Sequence, residues 1–154
     1  MANSALRWFK AAIVLQILLL AYWLAIEVVE LNPWNDLAAR GADYDLRASI
    51  MLNALPQLAF MALFGLGIRP AATLSALGYG VYLAAQLWFW WRPVVWAADA
   101  EWPRHYGELY ARTIKVPYSE GLALAPDAQH LALQALTFLT LFVTAMAASR
   151  MRYL

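Results

Sequence analysis

The chain of 154 residues is 64% hydrophobic and only 14% charged, with eleven Lys/Arg against ten Asp/Glu for a formal charge of +1. A water-soluble domain carries about 45–50% apolar and about 25% charged residues, so this composition excludes an ordinary soluble globule, and near-neutrality excludes nucleic acid as a partner held by charge. Cysteine is absent, which excludes disulfides, thiol catalysis, iron–sulfur ligation and cysteine-based zinc sites.

Crossing a bilayer core takes roughly 20 apolar residues per helix. The first stretch that meets this runs from Trp8 to Leu31, interrupted by Lys10 near its start and by Glu27 and Glu30 near its end. Its apolar run is far longer than a signal-peptide core of about 7–15 residues, and no A-x-A-like cleavage site follows it. The expectation is therefore a retained span. The segment 32–48 comes next, opening on Asn32-Pro33-Trp34-Asn35-Asp36. Asn before Pro signals a turn, and Asn35 or Asp36 is placed to cap a short helix. A second span follows from Ser49 to Ile68, closed by Gly67, Arg69 and Pro70, and a third from Ala71 to Trp91, closed by Arg92 and Pro93. The connection between them is so short that the two helices must be antiparallel neighbours.

The segment 92–130 is long enough to hold structure of its own. Asp99 is placed to cap a helix with Pro103 in its first turn, where a missing N–H costs little. From there Trp102, Tyr106, Leu109, Tyr110 and Thr113 share one face, with Arg104, Glu108, Arg112 and Lys115 elsewhere. Such a pattern predicts an amphipathic helix on the outer leaflet or over the bundle. Pro117, Gly121 and Pro126 then give an irregular return to a fourth span, Leu131 to Ser149.

Charge orients these spans. The amino terminus, the turn at Arg69 and the carboxy-terminal tail hold five Lys/Arg and no acid, whereas the opposite side holds the other six and all ten acids, a net of −4. Positive charge inside places both termini in the cytoplasm. Trp8, Trp34, Trp88, Trp90, Trp91, Trp96 and Trp102 fall near the span boundaries, where amphipathic rings settle. The fold expected is thus all-α: one four-span membrane domain of a bacterial-type cytoplasmic membrane, with an extra amphipathic helix in the second outer segment.

Polar residues within the spans are ordered by depth. Glu27 and Glu30 lie at the outer end of the first span, Asn53 and Gln57 in the outer half of the second. Tyr82 and Gln86 lie in the outer half of the third, and His130, Gln134 and Thr137 open the fourth. Each set is spaced three or four apart and so forms one stripe. At 1.5 Å per residue, most of these groups fall roughly 5–14 Å below the outer boundary. Polar side chains are costly against lipid and turn toward a bundle interior or a wet cavity. Four stripes at one level predict a polar chamber, open to the outside and closed below by Leu, Ala and Phe. In this reading Asn53, Gln57, Tyr82, Gln86, Gln134 and Thr137 form hydrogen-bonding walls for an amphipathic or lipid-like small molecule. Glu27, Glu30 and His130 form a candidate acid–base group.

Other readings are weighed beside this. Amides and hydroxyls near helix ends also serve simply as glue between helices. An acid–base group near lipid suits isomerase chemistry. Proton-coupled export is weaker, because small four-span exporters place the acid nearer mid-membrane, and an accessory subunit, bound to a membrane partner or to a second copy, is a further class. No resident cofactor is expected: a metal centre from Glu27, Glu30 and His130 has too few ligands, and no span carries a mid-depth histidine for haem. Ala72, Ala76, Gly80 and Ala84 form a ridge of small residues suited to close helix packing, and Pro56 is expected to kink the second span.

Overall fold

Backbone polar groups within a bilayer must be satisfied by the segment itself, which leaves helices as the economical solution for long apolar runs. A computed structural model describes residues 2–41, 44–96, 101–119, 122 and 125–151. Among these, five α-helices account for nearly all regular structure: α1 (Ala2–Val28), α2 (Leu46–Gly65), α3 (Arg69–Trp96), α4 (Glu101–Tyr110) and α5 (Ala128–Arg150). A single 3-10 turn covers Leu37–Ala39. No strand forms among the described residues; Lys115 and Asp127 make one isolated antiparallel bridge.

Three helices, α1 from Asn3, α2 and α5, are long and apolar enough to cross a membrane. The third expected span, now α3, falls short of that apolarity. Gly78, Tyr79, Gly80, Tyr82, Gln86 and Trp88 dilute its Leu, Val and Ala with groups of weak or polar character. Side-chain distribution agrees with a membrane protein. Large apolar residues face outward, Leu52 at 72% and Val81 at 71% exposure, while Gln16, Gln57, Ser75, Thr137, Thr140 and Thr144 are buried inside. That is the reverse of a soluble protein, where exposed apolar patches are small.

Local chemistry sets the helix ends. Expected to run to Leu31, α1 stops at Val28. The Asn35 amide donates to the carbonyls of Ile26 and Val29 at 2.8 and 2.7 Å, satisfying acceptors that a helix end leaves orphaned. Asp45 caps α2 by accepting from the Ala48 N–H at 3.0 Å. The helix ends before Gly67, whose φ of +68° suits the left-handed closure that glycine makes without strain. Pro70 then sits in the first turn of α3, where its missing N–H is harmless.

Beyond its expected end at Trp91, α3 continues through Arg92 and Pro93 to Trp96. Proline inside a helix removes one hydrogen bond without forbidding further turns. The added turn is held by packing of Val94, with Trp90 and Trp91, against Tyr106 and Tyr110. Pro56 lies inside a continuous α2. Asp99 and Gly121 lie outside the described residues, as do the side chains of Trp96, Trp102, Pro103, Arg104 and His105.

The long helices touch in cyclic order, α1 against α2, α2 against α3, α3 against α5 and α5 against α1. Consecutive long helices are antiparallel in this ring, so the end of α1, the start of α2, the end of α3 and the start of α5 gather at one end. Below that end, Leu19, Trp23, Ile26, Ala54, Tyr79 and Leu133 form one apolar cluster. Nearer the other end, Ala12, Phe64, Ala72, Val143 and Ala147 form a second. α2 approaches α3 closely at Gly78, where a Cβ would fall 2.3 Å from the Phe60 ring. Midway down, the Gln16 amide donates to the Thr144 hydroxyl at 3.1 Å, joining α1 to α5. The interior beneath the gathered ends is therefore not closed by Leu, Ala and Phe alone, as expected from sequence. Gln57, Ser75, Thr140 and Thr144 continue a polar line through it.

Candidate functional site

At the end where the four helix termini gather lies a cavity of about 340 Å³, within the range of about 300–1,000 Å³ typical of small-molecule sites. Glu27, Asn53, Gln86 and His130 all border it, joined by Arg40, Tyr44, Trp90, Tyr106, Tyr110 and Gln129. Four of the nine residues singled out from sequence therefore share one space. A larger recess of about 570 Å³ lies between α3 and α5, but its walls are mostly Ala76, Gly80, Ala84, Leu141 and similar residues. It is an apolar trough beside the small-residue ridge, with little to orient a polar ligand.

One wall of the cavity is a charge pair. Glu27, at the end of α1, meets the Arg40 guanidinium at 3.0 Å and accepts a second hydrogen bond from the Tyr44 hydroxyl. Arg40 also donates to the Glu27 carbonyl at 2.8 Å, and its guanidinium lies 4.4 Å from the Tyr44 ring centre. Both carboxylate oxygens are thus engaged. Partial burial, followed by the bond to Glu27, raises the Tyr44 hydroxyl above its ordinary pKa.

The opposite wall carries His130, and its partner is Asp127 rather than Glu27 or Glu30. Asp127 is fully buried and caps α5 by accepting from the His130 N–H at 2.9 Å. The imidazole Nδ1 meets its two carboxylate oxygens at 2.7 and 2.8 Å, and the Tyr106 hydroxyl donates to it at 2.6 Å. Burial alone would raise this carboxyl, but the His130 contacts and the Tyr106 bond outweigh it and hold the carboxyl below its usual value. Burial and the Asp127 charge raise the hydroxyls of Tyr106 and Tyr110. The Trp90 ring centre lies 3.5 Å from that of His130, and Tyr110 meets the imidazole edge-on at 5.0 Å.

Between the two walls are amides. Gln86 is only 7% exposed, and neither its nitrogen nor its oxygen finds a hydrogen-bond partner among the described residues. The Tyr82 hydroxyl is near but outside hydrogen-bond geometry. The Gln129 side-chain oxygen, on a residue 4% exposed, is likewise unpartnered. Below the cavity, Tyr82 donates to Asn53 at 3.2 Å and the Gln57 amide nitrogen to the Tyr82 hydroxyl at 3.4 Å, while the Gln57 side-chain oxygen has no partner among the described residues.

The remaining expected residues lie elsewhere. Glu30, beyond the end of α1, is exposed and accepts from the N–H groups of Leu37 and Ala38 at 2.9 and 3.2 Å. It caps the 3-10 turn and does not border the cavity. Gln134 accepts from the Trp91 indole at 2.5 Å, and Thr137 bonds the Leu133 carbonyl at 2.8 Å. Both lie deeper in the packing of α5. The residues that sequence reasoning missed are Arg40, Tyr44, Gln129 and above all Asp127. For the last a signal existed: Asp three positions before His, at a helix start, places a cap and an imidazole within reach of each other.

A clasp between the segment before α2 and the segment after α4 covers this end. Arg112 grips Asp36 with two parallel bonds of 2.7 and 2.6 Å, the geometry in which guanidinium–carboxylate pairs are strongest. Asp36 also caps the 3-10 turn through the Ala39 N–H, and the Ile114 N–H reaches the Pro33 carbonyl at 3.0 Å. The Arg112 hydrogen bonds hold the Asp36 carboxyl below its ordinary pKa. A depressed carboxyl contributes stability above its unfolded value, about 3.9, and loses it as pH falls through the folded value. Thermal unfolding should accordingly show a declining midpoint as the pH falls below about 4, and Arg112→Ala should loosen the clasp already at neutral pH, seen as faster exchange of the Ile114 amide. An unchanged Ile114 exchange rate in that variant would contradict the assignment.

No family model, curated protein or solved structure matches the chain. The functional reading rests on this geometry.

Proposed function

We propose that the chain is a four-span protein of a cytoplasmic membrane, both termini inside, whose outward pocket binds an amphipathic small molecule with a neutral, hydrogen-bonding head. In this reading α3 is the fourth crossing, its Tyr, Gly and Gln residues turned to neighbours rather than lipid, and α4 is an amphipathic roof over the pocket. The observation that carries the binding proposal is the Gln86 amide. A buried donor and acceptor without partners cost free energy, and a ligand carrying both functions recovers it. Packing glue would have made those bonds within the protein. Trp23, Trp90 and Tyr110, which border the same cavity, suit the apolar part of such a molecule. Because Glu27 and Arg40 neutralise each other, a neutral head fits better than an ion.

Two measurements test this. Native mass spectrometry of protein released from mild detergent should show a retained small molecule, and a spectrum of bare chain under conditions that preserve lipid adducts would count against the pocket. The absence of native cysteine makes topology direct to read. Tyr118→Cys, at a position 96% exposed in the second outer segment, should react with an impermeant thiol reagent from outside. Gly67→Cys should react only after the membrane is opened. The reverse pattern would overturn the orientation.

A further inference from the structure

His130 is held from three sides. Asp127 takes its Nδ1 edge at 2.7 and 2.8 Å, Trp90 covers one face, and Tyr110 meets the ring edge-on. An Nδ1–H donated to a carboxylate leaves Nε2 with its in-plane lone pair. Among the described residues no hydrogen bond ends on Nε2, and the imidazole borders the cavity. A helix cap explains Asp127 but not the imidazole, since the cap bond uses only the His130 backbone. An orienting carboxylate, a ring of fixed plane and a free base nitrogen on a ligand cavity are the components of a general base. Gln86 also borders the cavity, and its unpartnered side-chain nitrogen is a donor of the kind that stabilises a developing oxyanion.

We infer that this pocket moves protons at carbon, with His130 as the catalytic base and Asp127 as its positioning residue, on an amphipathic β,γ-unsaturated carbonyl compound. The inference rests on the ligand-binding reading and extends it to a reaction. His130 Nε2 takes a proton from the carbon between the carbonyl and the double bond. The C–H electron pair becomes a carbon–carbon double bond, and the carbonyl oxygen takes the negative charge beside the Gln86 donor. The imidazolium then returns its proton to the far carbon of the former double bond, the carbonyl re-forms, and the product is the conjugated isomer. Atoms and electrons balance without a co-reactant, and the neutral, apolar character of reactant and product matches a site beside lipid. Glu27, with both oxygens held by Arg40 and Tyr44, takes no part.

The test uses the full chain in lipid nanodiscs with a long-chain β,γ-unsaturated methyl ketone in deuterated water. Expected are growth of conjugated-enone absorbance and deuterium uptake above the protein-free rate. In His130→Gln both should fall by about 10²–10⁴-fold, the usual worth of a general base, while native mass spectrometry still finds the ketone bound. Asp127→Asn keeps the cap, because Asn caps as well as Asp. It should lower the rate and alter the His130 ring-nitrogen NMR shifts that report which nitrogen carries the proton, a change that a merely structural role would not produce. Binding without isomerisation, or an unaltered rate in His130→Gln, overturns the proton-transfer inference and leaves the pocket reading standing. Failure of the ketone to bind overturns the carbonyl-substrate inference, while the pocket reading falls only if native mass spectra also show the bare chain.

Discussion

Replacing Gln86 by leucine should make the protein more stable while removing its capacity to hold a ligand. The substitution exchanges two buried, unpartnered amide atoms for an apolar side chain of similar size on a helix that already carries Leu83 and Leu87. Leaving a buried polar group unsatisfied costs about 1–3 kcal/mol, so relief of the amide is expected to gain on the order of 2 kcal/mol, a rise of several degrees in the unfolding midpoint. Loss of the small molecule from native mass spectra should accompany it. The opposed signs give the experiment its force. A residue kept only to fasten helices would destabilise the protein when removed, and a drop in the midpoint for Gln86→Leu would place the amide in an internal bond and withdraw the main support for the pocket.

The second large effect is expected at Asp127. Its carboxylate caps α5, holds the His130 imidazole and receives the Tyr106 hydroxyl, all without exposure to solvent. Alanine there deletes a cap, worth about 1 kcal/mol, and strands buried donors on His130 and Tyr106 at about 1–3 kcal/mol each. A loss on the order of 4 kcal/mol is the expected sum, felt first where α4 and the start of α5 meet. Hydrogen exchange should accelerate at His130 and Leu131 in α5, and at Ala128, whose N–H bonds the Ile114 carbonyl. Asparagine should recover the cap portion and leave the remainder lost. Equal damage from alanine and asparagine would show that the charge, rather than the cap, dominates. No damage from alanine would mean that the Asp127 cluster does not hold this end together.

Much of this arrangement was legible in the sequence, because periodicity and depth are properties of a helix that survive without coordinates. Glu27, Asn53, Gln86 and His130 lie on separate helices, yet distance from each helix end gave their common level, and the three- and four-residue spacings gave their faces. Two of the expectations that moved did so for local reasons. Pattern alone puts Glu30 one turn beyond Glu27 on a continuing helix, but the Asn35 amide ends α1 at Val28 and releases Glu30 to cap the 3-10 turn. Pattern alone puts Gln134 in the pocket wall, but the Trp91 indole on α3 takes its side-chain oxygen instead. The partners of the charged groups were beyond the reach of pattern. Arg40, Tyr44, Tyr106 and Arg112 come from connecting segments, whose placement depends on what the assembled helices leave uncovered. α3 passes the eye as apolar because its Tyr and Trp residues are large, but their polar atoms keep it below the apolarity of α1, α2 and α5.

The Asp36–Arg112 clasp joins positions 76 residues apart, with all of α2 and α3 intervening. Synthesis therefore produces the acid long before the base, and Asp36 must wait, hydrated, while two further helices are laid down and packed. Only then can the segment before α2 dock on the segment after α4 and dry the carboxylate. Assembly of the cover is thereby coupled to synthesis of the helices that separate the paired residues. A chain stopped after α3 lacks Arg112 and leaves the end beneath the cover open, so closure reports that the segment after α4 has been made.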